Sequence, residues 1–205
     1  MNFLAKRVSN IKPSPTIAAT AKAAELKSNG LDVIGLGAGE PDFDTPVHIK
    51  NAAIEAINSG KTKYTAVDGI KELKSQISEK FNNDNEIDYS LNEITVGTGG
   101  KQVLYNALMA TINKGDEVIV PAPYWVSYPD MVILADGNPV IAKCEEKDDF
   151  KLTPKILEKN ITSKTKWLIL NSPSNPTGIG YEKKELNDLS VVLEKNPHVL
   201  IMVDD

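Results

Sequence analysis

Cysteine is nearly absent: Cys144 stands alone, which excludes an internal disulfide framework and a thiolate metal cage. Its apolar neighbours Val140 and Ile141 place it at a strand end, as packing. Histidine is scarce too, and His48 and His198 have no partner at metal-ligand spacing. Little is left for a metal site or for histidine acid/base chemistry. Long apolar runs are missing: Trp167–Leu170 and Val199–Val203 fall far short of the roughly 18 to 20 residues of a spanning helix. Membrane insertion is therefore excluded. After Lys6 and Arg7 the N-terminus runs through Ser9, Asn10 and Lys12 without an apolar core, so no secretory signal is read and the expected location is cytoplasmic. A basic excess is also lacking, since 23 Lys plus Arg face 28 Asp plus Glu, a net charge of −5. With pI near 5.2, binding to a nucleic-acid backbone is excluded as a main role.

What is present is enough apolar material for a real core, at 41% hydrophobic against 25% charged residues. The length of 205 residues fits one domain, or one domain and a piece of another. Ile17, Ala21, Ala24 and Leu26 follow a helical pattern that ends at Asn29 and Gly30. Val33, Ile34 and Leu36 read as a short strand. A second helix opens with Thr45 as N-cap and Pro46 at N1, and a third starts near Gly69 with Ile70, Leu73, Ile77 and Phe81 on one face. From Glu93 onward short apolar strands alternate with helices, the pattern of a parallel sheet covered by helices. The expected strands are Ile94–Val96, Glu117–Val120, Val140–Lys143, Trp167–Leu170 and Leu200–Val203. Helices are expected over Lys101–Ile112, Val126–Leu134, Pro154–Glu158 with Thr153 as cap, and Glu182–Glu194.

Four segments have the makings of a site. Val96, Gly97, Thr98, Gly99, Gly100 and Lys101 run from a strand through glycines into a helix, where backbone N–H groups and the macrodipole favour an anion such as phosphate. The same glycines also serve a plain strand-to-helix turn, and they form neither a Walker loop nor a dinucleotide fingerprint. Asn171 to Gly178, NSPSNPTG, is an irregular loop at the carboxyl end of a strand, where open α/β sheets bind ligands; it presents Asn175 beside an Asn175–Pro176 bond open to the cis form. Pro121 to Tyr128, PAPYWVSY, supplies aromatic residues for packing or for stacking on a planar cofactor. Asp204 ends the last strand, either solvated or, if buried, able to hold a cationic ring nitrogen.

Together these strings resemble the amino-terminal half of a class I aminotransferase of the aspartate (aspartate/prephenate) aminotransferase family, the pyridoxal 5'-phosphate (PLP) fold type I. The most specific pieces are AGEPDFDTP at Ala38–Pro46, KTKYTAVDGI at Lys61–Ile70, GGKQ at Gly99–Gln102, PYWVSYP at Pro123–Pro129 and NSPSNPTG at Asn171–Gly178. Ser174 departs from the Asn more usual in the family, without touching the Asn175 position. The resemblance implies a three-layer α/β/α, mainly parallel sheet. It makes residues 1–45 an N-terminal arm and small-domain segment, and 46–205 the first, incomplete part of the large PLP-binding domain. It implies that Gly100 and Lys101 sit at the PLP phosphate, Trp125 stacks on the pyridine ring, Asn175 meets the phenolic oxygen, and Asp204 pairs with the ring nitrogen. Tyr64 would reach the phosphate of a neighbouring subunit, hence a homodimer. Gly39, Trp125 and Asn175 would contact the substrate, with Lys12 and Lys101 favouring a second, side-chain carboxylate.

The family's Schiff-base lysine and its substrate-carboxylate arginine fall downstream of the Asp204 position, so the resemblance assigns no catalytic residue to this stretch. The chain reads as a truncated domain, inactive alone. The expected reaction of the whole enzyme moves an amino group between L-aspartate and 2-oxoglutarate, with prephenate as a further acceptor. Alternatives are another class I PLP enzyme, acting on aromatic residues or alanine or cleaving C–S bonds, and a non-catalytic truncated product. No metal is expected; the partners are small amino and keto acids.

Overall fold

Ser14, followed by Pro15, starts the first helix two residues ahead of the expected Ile17: its side chain accepts from the Ile17 N–H at 3.4 Å, and the helix α1 runs Pro15–Ser28. The computed structural model describes residues 3–11, 13–37 and 39–205. The chain divides into two compact units, Pro13–Thr98 and the combination of Met1–Lys12 with Gly99–Asp205. Lys12 and Ala38, named above in the substrate set and in the first motif, lie outside the described residues.

In the Pro13–Thr98 unit, α2 spans Val47–Asn58 and α3 spans Lys71–Asn85. The α2 start differs from the expected one. Pro46, extended at ψ 140, is itself the N-cap, and Thr45 gives its N–H to Asp44 Oδ1 at 2.9 Å instead of capping the helix. Gly69, ahead of α3, is required as glycine: at φ +109 a Cβ there would stand 2.6 Å from Val96 Cγ2. The expected strands Val33–Leu36 and Ile94–Val96 are not formed among the described residues. A strand needs a ladder partner, and the Val96 N–H goes to Asp68 O, at 3.0 Å, instead of to a neighbouring strand.

The second unit holds the sheet. Helix α4 covers Gly100–Thr111, β1 Glu117–Ala122, α5 Ser127–Leu134, β2 Asn138–Lys143, α6 Pro154–Asn160, β3 Thr165–Asn171, α7 Lys183–Glu194 and β4 Leu200–Asp204. All pairings are parallel and the strand order is β2-β1-β3-β4. The strands extend the expected ones by one to three residues, because ladder bonds carry each strand past its apolar centre.

Alternation along the strands sends side chains to two faces. Val118, Val120, Ile169 and Met202 pack with Leu104 and Leu108 of α4 and with Met131 and Val132 of α5. Ile119, Ala142 and Leu168 pack on the other face with Leu157 of α6 and with Leu189 and Val192 of α7. Helices thus cover both faces of a parallel α/β sheet, as the resemblance implies. Each fully buried aliphatic side chain contributes about 1.5–3 kcal/mol. Cys144 belongs to the second cluster, as expected, and burial pushes its thiol up to about 11, which keeps it protonated at neutral pH. Among the described residues no helix is long and apolar enough to cross a membrane.

Candidate active site

The carboxyl ends of β1, β3 and β4 deliver three of the four candidate segments to one place. Parallel register sets Asn171, the last residue of β3, beside Asp204, the last of β4. The Asn171 amide donates to Asp204 O at 2.7 Å, and the Ser172 N–H donates to the same oxygen at 3.2 Å. The Asn171 side-chain oxygen in turn accepts the Asn175 N–H at 2.7 Å, which ties the loop to the strand end. That loop contains cis bonds at Ser172–Pro173 and Asn175–Pro176, the second of which the sequence left open. It closes on itself through Gly178 N–H to Ser174 O at 2.7 Å and Ser174 N–H to Ile179 O at 2.9 Å. The Asn175 side chain has no hydrogen-bond partner among the described residues.

Tyr128 joins this set to the aromatic segment. It lies in the first turn of α5 and is 2% exposed. Its hydroxyl donates to Asp204 Oδ2. Burial pushes that hydroxyl well above the usual tyrosine range and the Asp204 carboxylate pushes it further, so it remains a proton donor at any physiological pH. Asp204 Oδ1 has no partner among the described residues and is left to accept from a ligand. The Tyr128 ring meets the Trp125 ring edge to face, centroids 5.3 Å apart at 80°. Lys101 Nζ stands 4.7 Å from the Trp125 ring centroid.

Lys101 is the second residue of α4, whose N-cap is Gly99 at φ 83 with no side chain to cap the helix. The first N–H groups of a helix have no partner within it. Nothing stands within 4 Å of a Cβ built at Gly99 or Gly100, so an anion has room against this helix start. Beneath the strand ends, a cavity of about 20 Å³ among Pro123, Tyr128, Asn171 and Asn175 holds at most one water.

Gly100, Lys101, Trp125, Asn175 and Asp204 thus occur in one unit, linked through Tyr128 and Asn171. Tyr64 and Gly39 belong to the Pro13–Thr98 unit, where Tyr64 is fully exposed and Gly39 adopts φ 64. Sequence reasoning missed Tyr128 and Asn171. A signal for Tyr128 existed: at spacings of three and four from Met131 and Val132 it shares their buried face, and a buried tyrosine hydroxyl needs an acceptor.

An α/β sheet with an open helix N-terminus, an aromatic platform and a strand-end carboxylate sets an anion site, a stacking surface and an acceptor in one unit. Residues 31–205 match the family described as aminotransferase class I and II, and the chain belongs to that family. It is 62% identical, over all of its length, to an aspartate/prephenate aminotransferase of Cereibacter sphaeroides, and 60% identical to a probable aspartate/prephenate aminotransferase of Rickettsia bellii; it covers 51% of each. Among solved structures it superposes on an aspartate aminotransferase from Rhizobium meliloti with a TM-score of 0.94 at 51% identity, covering 98% of this chain and 50% of that one. The aspartate aminotransferase of Thermus thermophilus with maleate gives a TM-score of 0.94 at 44% identity, covering 100% of this chain and 53% of that one. The chain thus spans about half the length of the relatives it matches.

Members of this family use PLP, and the residues present fit that group. Uncapped N–H groups at Gly100 and Lys101 suit a phosphate, the Trp125 ring suits a pyridine, and the free Asp204 oxygen suits a protonated ring nitrogen.

Proposed function

We propose that the protein of which these residues form part is a PLP-dependent aspartate aminotransferase that moves an amino group between L-aspartate and 2-oxoglutarate, with prephenate as a further acceptor. The observation that carries this reading is the Tyr128–Asp204 bond beside the Trp125 platform and the open start of α4. When bound, PLP supplies the electron sink that stabilises a carbanion next to the amino group.

This chain's own residues bind and tune. The N–H groups of Gly100 and Lys101 hold the phosphate against the positive end of α4. Trp125 fixes the ring plane. Asp204 keeps a proton on the ring nitrogen, and Tyr128, donating to its second oxygen, holds the carboxylate in one orientation. Asn175, anchored through its N–H on Asn171, offers its amide to the phenolic oxygen and, with Gly39, to the substrate carboxylate. Lys12 and Lys101 provide positive charge for the second carboxylate of a dicarboxylic substrate.

The remaining assignments follow the family resemblance. Residues 1–45 act as arm and small-domain segment and 46–205 as the start of the large domain. Tyr64 completes the phosphate site of a second copy, making the working enzyme a cytoplasmic homodimer. The Schiff-base lysine and the carboxylate-binding arginine come from downstream of the Asp204 position, so a polypeptide of these 205 residues alone turns over no substrate.

Assay of the intact protein decides the matter. With PLP it is expected to convert aspartate and 2-oxoglutarate, while Asp204→Ala in the intact protein loses at least about 100-fold in kcat, the scale of removing a group that stabilises transition-state charge. Turnover of aromatic amino acids or alanine in preference to aspartate would refute the substrate; an active Asp204→Ala variant would refute the site.

A further inference from the structure

The contact between Lys101 and Trp125 is unfavourable on one side and replaceable on the other. Lys101 is an exposed cation in the first turn of α4, at the positive end of the helix dipole, where a cation is disfavoured. Among the described residues it has no ion pair and no hydrogen bond from its ammonium group; its recorded partner is the Trp125 ring, 4.7 Å away. Trp125, by contrast, is held. The buried Tyr128 presses on it edge to face and is itself anchored on Asp204. The indole therefore stays in place while the lysine is free to leave.

A planar ligand stacking on that indole face approaches to about 3.5–4.0 Å. The ammonium already occupies the space, so ring and lysine exclude each other there. An anion at the Gly100 and Lys101 N–H groups changes the balance, because it offers the ammonium a charge-assisted partner stronger than a ring face.

We propose that Lys101 is a two-position gate on Trp125: it covers the indole face while the site is empty and swings onto an anion bound at the start of α4, uncovering the face for a ring. The anion position rests on the phosphate reading given above; the resting contact does not. An exposed cation–π contact favours the closed position about two- to fivefold. Opening it with an anion therefore raises the affinity for a stacking ring about three- to sixfold. The gate selects ligands that carry both groups, since an uncharged ring must displace the lysine unaided.

The test uses the 205-residue chain with Trp167→Phe, which leaves Trp125 as the single tryptophan, and reads acrylamide quenching of its fluorescence. Lys101→Ala is expected to raise the quenching constant. Inorganic phosphate is expected to raise it to the same level in the Lys101 protein and to leave Lys101→Ala unchanged. Lys101→Arg, which also stacks and binds phosphate, is expected to behave as the parent does. If Trp167→Phe fails to fold, the difference between parent and Lys101→Ala with both tryptophans gives the same reading, because Trp167 is common to both.

Phosphate that leaves Trp125 quenching unmoved, or moves it equally without Lys101, overturns the gate. Pyridoxamine 5'-phosphate separates this from the cofactor reading. If it leaves Trp125 unaffected while inorganic phosphate opens the gate, the cofactor reading fails and the gate stands. If it binds parent and Lys101→Ala alike with no prior uncovering by phosphate, the gate fails and the cofactor reading stands.

Discussion

Between Gly99 and Asp205 the chain buries aliphatic side chains on both faces of its sheet, with Leu108, Ile119, Leu157 and Leu168 fully enclosed. Between Pro13 and Thr98, Ile94 is the one buried hydrophobic residue among those described. The helices there keep their apolar residues in the open: Ile17 on α1 is 72% exposed, and Ile54 and Ile57 on α2 are 54% and 65% exposed. That region is held by local devices, such as the Ser14 cap and the pair between the buried Lys74 and Asp68. The difference teaches where the site can be precise. Positioning a ring nitrogen or a phosphate needs side chains locked by packing, and Lys101, Trp125, Asn175 and Asp204, the candidate residues proposed for that task, lie in the well-packed unit. Tyr64 and Gly39, in the thinly packed unit, are the assignments that depend most on what else covers it. The sheet unit has an uncovered margin of its own at β4, where Leu200, Ile201 and Val203 are 41%, 49% and 59% exposed.

Paired core substitutions put the comparison under the heaviest load. Leu108→Ala is expected to cost about 2–5 kcal/mol, whereas Ile54→Ala stays within about 0.5 kcal/mol of neutral. Urea unfolding of each variant measures both. Equal losses would mean that α2 is packed as tightly as α4, and the contrast would disappear.

A second substitution sharpens the link between core and site. Tyr128→Phe keeps the ring against Trp125 but removes the hydroxyl from Asp204. The expected loss is about 1.5–3 kcal/mol, typical of a hydrogen bond to a charged group, again read by urea unfolding. No loss would mean that Asp204 finds an equal partner elsewhere and that Tyr128 does not position it.

The smallest effect is electrostatic. Glu185 accepts the Glu182 N–H at 2.7 Å in a capping box at the start of α7, and it also takes the Lys151 ammonium. The backbone hydrogen bond first and Lys151 second hold its carboxyl below the usual glutamate range. A depressed folded value stabilises the fold above the unfolded value, about 4.3, and that stabilisation is lost as the pH falls through the folded value. Glu185→Gln should therefore lower the melting temperature at neutral pH by a small margin that closes on acidification. A margin that persists below the carboxylate range would point to lost packing instead of lost charge.

Much of the sheet unit was legible because its signals are local and consistent. Each of β1 to β4 is a short apolar run bounded by turn residues, and Thr153 followed by Pro154 announces α6. Ile94–Val96 misled for the opposite reason: β-branched residues fit a strand, but composition does not state which strand would pair with it. The candidate site was legible at its strand ends. Asn175 and Asp204 stand where open sheets bind ligands, and the glycines before Lys101 mark a helix start. Tyr128 was not legible as a partner of Asp204, since that contact joins residues 76 apart. Its existence depends on the spatial order of strands that the sequence does not spell out. The Lys101 position over Trp125 is long-range in the same sense.

The most direct measurement is a crystal structure of this chain grown with pyridoxamine 5'-phosphate. The account predicts the phosphate on the N–H groups of Gly100 and Lys101, the ring over Trp125 with Lys101 turned away from it, and the ring nitrogen on the free oxygen of Asp204. A ring bound elsewhere, or one at this place with Asp204 and Tyr128 drawn apart, would contradict it.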